Sequence, residues 1–512
     1  MRKSIFLKAL TMCALLATVF TSCDNDDDVK VDPDHTGIYR TPKYVFYFIG
    51  DGMSNTQINV TEAALANPNF KLRTTKSTKA VSLGHMNIRE LPVTGMQTTH
   101  AEDRYITGSA ASATALATGF KTTIGTISQN GDHTSDLKTM AEMAKEKGMK
   151  VGIISSVSID HATPACFYAH TDSRNNYQEI GQDLLVSNFD YFAGGNVRHN
   201  KYKGYTLDNF IADAKTKGYS YVNTRAAFDA LNAKSGKTIA TIKKLETYTS
   251  DGCALPYAMD VYAQDSEDDM ITLADFTEKG IEVLDNEEGF FMMVEAGKVD
   301  WACHANDVVA SSMDMIAFDQ AIGKALDFYK EHPNETLIVV TGDHETGGLS
   351  LGFASTKYET AFDLLQYQSE SYVVFTSKVK GWAADGNMTF ESALAEAKAS
   401  FGLGDEAKGL EISDYERELL EDAFNRSMSG ESDHAPEEIS VIYGYYDPFT
   451  VTITHILNNK AGIDWGTYSH TGVPVPVFAI GQGSTLFDGY YDNTDVAKKI
   501  MKVAEYQTLK EK

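Results

Sequence analysis

From about residue 42 onward, short unbroken apolar runs alternate with longer stretches in which apolar residues recur every three or four positions. After its leading lysine, the run over 43–49 is entirely aromatic or β-branched. A run with no polar side predicts a strand buried on both faces. It ends in the turn-forming Gly50-Asp51-Gly52. Similar runs predict strands at 150–155, 191–193, 290–295, 336–341 and 475–480, and helical periodicity over 137–148, 206–216, 272–286, 305–330 and 494–507 separates them. Strands alternating with helices define the fold class as α/β, with a mostly parallel central sheet and helices on both faces. Ligands of such sheets gather beyond the carboxyl ends of the strands.

The alternation fails between 352 and 463, where polar helical segments (391–400, 413–427) and an aromatic cluster of Tyr443, Tyr445, Tyr446 and Phe449 replace it. We read 352–463 as a large insertion on a core formed by 42–351 and 464–512.

The first residues follow a different logic. Arg2, Lys3 and Lys8 flank an apolar stretch that is too short to span a bilayer and ends in Thr21-Ser22-Cys23, followed by Asp24-Asn25-Asp26-Asp27-Asp28. Residues 1–22 resemble a bacterial lipoprotein signal peptide, with Cys23 as the acylated first residue and 23–41 as an acidic tether. The expectation is an exported, membrane-anchored lipoprotein facing the periplasm or cell surface. The chain carries 45 Lys and Arg against 71 Asp and Glu, a formal net charge of −26, so no nucleic-acid binding is expected. Beyond Cys13 and Cys23 only Cys166, Cys253 and Cys303 remain, enough for one disulfide at most.

Candidate chemistry sits where the strands end. In Thr107-Gly108-Ser109-Ala110-Ala111-Ser112-Ala113-Thr114-Ala115, a serine precedes small residues of good helix propensity. That places Ser109 in a first helical turn, where free N–H groups favour an anion. Asp51, Glu295, Asp343, His344 and His470 lie at or beside strand ends, and Asp300 and His304 are four residues apart, on one face of a helix. Each residue alone reads as a turn or cap. Their joint occurrence points to metal, since mixed carboxylate and imidazole sets suit zinc and all-oxygen sets suit magnesium.

These residues fall in segments that resemble those of the alkaline phosphatases, a family of metal-dependent phosphomonoesterases. The segments are Ile49-Gly50-Asp51-Gly52-Met53, Ser109 to Ala115, His161-Ala162-Thr163-Pro164 with Ser173-Arg174, Glu295 to His304, Thr341-Gly342-Asp343-His344-Glu345-Thr346 and His470-Thr471-Gly472. The resemblance implies two zinc ions, one held by Asp300, His304 and His470 and the other by Asp51, Asp343 and His344. It implies a magnesium ion at Asp51, Thr163 and Glu295. Ser109 becomes the nucleophile, forming a phosphoserine, and Arg174 the fork that grips two phosphate oxygens. The implied substrates are small phosphate monoesters. Relatives are commonly homodimers, and the resemblance extends that expectation to this chain.

Two positions depart from the common pattern. Gly108 stands where many relatives place an aspartate beside the nucleophile, which predicts a less tethered Arg174. His161 and Trp301 stand where some relatives carry Asp and Lys near the third metal. Asp160 and Asp172 flank motif residues and are candidates to orient His161 or Arg174. Cys303, between two implied ligands, is expected to pack rather than to bind metal. Trp301, Tyr443 and Tyr446 are candidates for the mouth of the site. A phosphodiesterase or sulfatase of the same superfamily is the alternative within the enzyme class; those enzymes often use threonine or a modified cysteine, and Ser109 with Arg174 favours the monoesterase. The non-enzyme alternative, a catalytically inactive metal-binding surface lipoprotein, is disfavoured by the complete set of nucleophile, ligand and arginine positions.

Overall fold

Tyr44–Gly50 forms the centre of the sheet, and all seven of its residues are buried. Successive side chains of a strand point to opposite faces. Phe46 and Phe48 enter one apolar core with Met292, Val294, Ile338 and Val340. Val45, Tyr47 and Ile49 enter a second core with Val151, Ile153, Phe291 and Val339. The helices Asn55–Leu65, Leu273–Leu284 and Val308–Glu331 cover the first face. Ser109–Thr118, Met140–Glu146, Tyr177–Val186 and Asn493–Val503 cover the second. The structure, a computed structural model, describes residues 29–31, 38–65, 86–198, 201–243, 252–261, 270–430 and 436–506.

The central sheet has ten strands. We number them β1 (Tyr44–Gly50), β2 (Val93–Thr98), β3 (Lys150–Ser158), β4 (Tyr191–Gly195), β5 (Ser220–Val222), β6 (Thr238–Thr241), β7 (Phe290–Glu295), β8 (Thr336–Gly342), β9 (Val475–Gly481) and β10 (Gly489–Asp492). Their order is β10-β2-β9-β8-β1-β7-β3-β4-β6-β5. Only β9 is reversed, antiparallel to both β8 and β2, so the mostly parallel sheet expected from the sequence is the one observed. Four strands went unanticipated: β2, β5, β6 and β10. The ladder of Val29–Val31 with Ile38–Arg40 lies within the stretch expected to be a tether. The expected leader 1–22, Cys23 and the acidic run to Asp28 lie outside the described residues.

The carboxyl ends of β1, β7 and β8 lie side by side, because Ile49 pairs with Glu295 and with Thr341. Asp51, Glu295 and Asp343 therefore converge at one edge of the sheet. Gly52 makes the turn after β1 feasible: its φ is +75°, and a Cβ there would lie 2.9 Å from the Asp300 backbone.

The insertion is helical. Tyr372–Asp385, Phe390–Phe401, Asp414–Ser429, Pro436–Tyr443 and Pro448–Lys460 build a cap around Phe375, Phe401, Phe424 and Phe449. It leaves and rejoins the core at a short antiparallel pairing of Glu345–Thr346 with His470–Thr471. Among the described residues, no helix is long and apolar enough to cross a membrane.

Candidate active site

The helix Ser109–Thr118 begins at Gly108, and all ten of its residues are buried. Alanine, serine and threonine let it pack closely against its neighbours, and the Ser112 hydroxyl donates to the Asp343 carbonyl at 2.7 Å. That bond docks the helix start on the end of β8. Ser109 Oγ then stands 3.4 Å from His344 Nε2.

His344 joins two groups. Its Nε2 lies 3.4 Å from Asp51 Oδ1 and 3.2 Å from Asp343 Oδ2. Its ring stacks on that of His470, with centroids 3.6 Å apart. Asp343 Oδ1 accepts from the backbone of Gly52 and of His344, leaving Oδ2 buried and unpartnered, as are both Asp51 carboxylate oxygens. Buried carboxylates without donors are costly unless a cation accompanies them. Burial, compounded by the neighbouring acids, pushes Asp51 and Asp343 far above the usual carboxylate range.

The second group lies on the short helix Gly297–His304 and the pairing at His470. Asp300 Oδ1 is 3.3 Å from His304 Nε2 and 3.5 Å from His470 Nε2, and it accepts from the Thr346 hydroxyl at 2.6 Å. His304 Nδ1 lies 2.6 Å from the Tyr468 carbonyl and His470 Nδ1 lies 2.8 Å from the Thr107 carbonyl. A carbonyl only accepts, so both Nδ1 atoms carry hydrogen, and a ring in its neutral form then presents a lone pair at Nε2. Burial holds His470 below the ordinary histidine value. The two Nε2 atoms are nevertheless 3.1 Å apart. Lone pairs that close, beside a carboxylate, fit a shared metal ion rather than a hydrogen bond.

Glu295, at the end of β7, accepts from the Ser155 hydroxyl, and burial pushes it up to about 7, with the like charge of Asp300 adding to the shift. Thr163 is buried on the turn of helix Ala162–Ala165. Arg174 shares a cavity of about 840 Å³ with Ser109, Asp300, His304 and His470. The arginine is tethered without any side chain at Gly108: its backbone N–H donates to the Gly125 carbonyl at 2.7 Å, and Nη2 donates to His161 Nε2 at 3.2 Å. Burial, followed by the charges of Arg174 and Arg198, holds His161 well below its ordinary value, so it accepts that bond as a neutral ring.

All ten site residues expected from the sequence therefore meet at one edge of the sheet or in the cavity beside it, or, for Thr163, on a buried helix turn near His161. Asp160 and Asp172 orient neither expected partner: Asp160 accepts from the Arg198 backbone and Tyr202, and Asp172 from Asn176. Cys303 packs in the core, and burial drives its thiol upward. Cys166, Cys253 and Cys303 form no disulfide among the described residues. Trp301 and Tyr446 line the cavity, whereas Tyr443 packs with Ala423 and Val451. Sequence reasoning missed Thr346, Thr107 and Tyr468, which orient ligands through a hydroxyl or a backbone carbonyl; no side-chain pattern announces a carbonyl. It also missed the cap residues of the cavity wall other than Tyr446.

A sequence model of the alkaline phosphatase family matches residues 42–506, a range that contains the helical cap. Alkaline phosphatase 3 of Bacillus subtilis is 31% identical over 474 residues, covering 91% of this chain and 89% of its own length. The crystal structure of a cold-active alkaline phosphatase from Shewanella sp. has a TM-score of 0.70 at 29% identity, covering 90% of this chain and 99% of that one. A variant of the alkaline phosphatase from the Antarctic bacterium TAB5, 25% identical over 91% of this chain and 99% of its own, with a TM-score of 0.60, is described with Mg bound in its M3 site. The chain belongs to the alkaline phosphatase family and is a phosphatase.

Proposed function

We propose that this enzyme hydrolyses phosphate monoesters through a phosphoserine on Ser109, releasing inorganic phosphate. The observation that carries the reading is the position of Ser109 Oγ, in the first turn of a helix, 3.4 Å from His344 Nε2 and in one cavity with Arg174. Ser109 Oγ attacks phosphorus, its proton passing to solvent, as the bond to the ester oxygen breaks and the alcohol departs after taking a proton from water. Water then attacks the same phosphorus, the bond to Oγ breaks, and phosphate leaves. The free N–H groups of the helix start and the planar fork of Arg174 face the charge on the non-bridging oxygens. His161 keeps the fork in place.

The donor set fits metal ions. Asp300, His304 and His470 would hold one zinc, and Asp51, Asp343 and His344 a second. Asp51, Thr163 and Glu295 would hold magnesium, the metal named for the TAB5 variant. When bound, such ions lower the pKa of a coordinated hydroxyl or water and neutralise the leaving oxygen.

The decisive experiment compares Ser109→Ala with the parent, with the metal content of both measured. The expected result is near-complete loss of activity with metal retained and no acid-stable phosphoserine by mass spectrometry; full activity in the variant removes Ser109 as nucleophile. We also propose export and lipid anchoring at Cys23, which partition of the expressed protein into detergent, lost in Cys23→Ala, would support. Pairing as a homodimer is the third expectation, and light scattering tests it.

A further inference from the structure

The catalytic cavity has a wall that the chemistry above leaves unused. Helix Tyr372–Asp385 presents two faces. Phe375 and Val379 are buried, with Phe375 packed against Trp382, Phe401 and Phe449. Tyr372, Val373, Thr376, Ser377 and Lys380 follow one another at helical spacing, and all five line the 840 Å³ cavity that holds Ser109 and Arg174.

Lys380 differs from its neighbour Lys378, which pairs with Glu370 at 2.7 Å. It is exposed and makes no ion pair among the described residues. Asp447, on the same cavity wall, does not neutralise it. The Asp447 carboxylate caps its own helix, accepting from the backbone and the hydroxyl of Thr450 at 2.8 Å each. Arg174 and Lys380 are thus the two permanent cations of the lining, in a chain of net charge −26.

The turn before helix Pro448–Lys460 adds aromatic surface. Tyr446 packs edge-on against Tyr372, with centroids 5.7 Å apart. Tyr445 is 70% exposed, at φ +66°. A bulky residue in the left-handed region is strained, and such strain is kept where the side chain's direction matters. Ring and cation face one cavity.

Resting on the phosphatase reading above, we propose that this wall is a leaving-group subsite favouring phosphate monoesters whose alcohol is aromatic and carries a second negative charge. The phosphoryl end is engaged by Ser109 and Arg174, so the rest of the substrate extends along the cap. There a flat ring finds Tyr445, and an anionic substituent finds Lys380 in place of a protein carboxylate.

The test uses the metal-loaded full chain, with phenyl phosphate, 4-carboxyphenyl phosphate and glycerol phosphate as probes. In Lys380→Met, the ratio of kcat/KM for the carboxylated over the plain phenyl ester should fall about threefold to fivefold, the range of an exposed ion pair. The change should reside in KM, and Lys380→Arg should restore the ratio. Tyr445→Gly, which also relieves the backbone, should lower kcat/KM for both phenyl esters relative to glycerol phosphate. An unchanged ratio in Lys380→Met overturns the subsite. So does an equal loss on all three esters that disappears at about 0.15 M salt, since that is long-range steering. A parent that hydrolyses none of the esters defeats the phosphatase reading itself; a parent that hydrolyses all of them, with ratios indifferent to Lys380, defeats only the subsite.

Discussion

His304 and His470 aim their Nε2 atoms at one another across 3.1 Å, while each Nδ1 faces a backbone carbonyl, Tyr468 for one ring and Thr107 for the other. Those carbonyls belong to different loops, so the pair is held in its metal-binding tautomers by backbone alone. Removing metal should therefore leave two lone pairs in contact and loosen both loops. Chelation followed by dialysis should abolish activity and lower the melting temperature, and zinc with magnesium should restore both. A site loaded to a thousand times its dissociation constant stabilises the fold by about 4 kcal/mol. A melting temperature indifferent to chelation would contradict this reading of the pair.

Asn306 ties that pair to the cap. It is buried at φ +53°, its amide donates to the Cys303 and Thr467 carbonyls at 2.9 and 3.1 Å, and its Oδ1 lies 3.0 Å from His455 Nε2. Asn458 donates to its carbonyl at 2.9 Å. Asn306→Gly keeps the backbone geometry and deletes the side-chain bonds, which should cost about 1–3 kcal/mol for the buried groups left unpaired. Asn306→Ala should cost more, through strain at positive φ. Zinc retention against a competing chelator should fall in both variants, and calorimetry separates the stability loss from it. Zinc held as tightly as in the parent would confine Asn306 to a folding role.

The space beside Ser109 invites the opposite experiment. A Cβ at Gly108 would meet only Ile124 Cδ1, at 3.7 Å, so the first atom of an aspartate side chain has room there. The added carboxylate should tether Arg174 further, strengthen inhibition by phosphate and slow its release. Stopped-flow kinetics with a phosphate sensor reads this directly; unchanged release would show that His161 already fixes the arginine.

Stability at alkaline pH should depend on His170. Burial alone would lower this histidine, but its hydrogen bonds to Glu142 and the Ser128 carbonyl outweigh burial and raise it to about 9. A group raised on folding stabilises fully below its unfolded value of about 6.5, and that stabilisation is lost as pH rises through the folded value. Glu142 is lowered: burial opposes, but bonds from His170 and Thr139 prevail, so its contribution is lost on acidification. Between pH 7 and 10 the parent should thus lose more melting temperature than His170→Gln. Parallel curves for the two proteins would rule the pair out.

The sequence reveals the fold where burial is complete. β1, β7 and β8 are apolar throughout, because both faces are covered, and each was anticipated to within a residue. β2 reads Val-Thr-Gly-Met-Gln-Thr, and its buried Gln97 donates to Thr341 and the Gly342 carbonyl, so a buried polar residue helped hide the strand. β5 and β10 lie at the sheet edges, with no fully buried residue, and carry no continuous apolar signal. The candidate site residues were legible for another reason: they fall in short local motifs, beside strand ends for Asp51, Glu295 and Asp343 and at a helix start for Ser109. Most of the cavity wall was not, since Lys380 and Tyr445 come to share one cavity only through the packing of elements far apart in sequence.

The narrow pairing of Glu345–Thr346 with His470–Thr471, where the cap joins the core, has a practical meaning. Everything between its two arms is one contiguous cassette, while the residues proposed for phosphoryl transfer are all encoded outside it, His470 on the arm itself. Exchanging the cassette for another helical cap should retune which alcohols are accepted. The seam would fall beside His470, so metal occupancy would report first whether a graft had seated correctly.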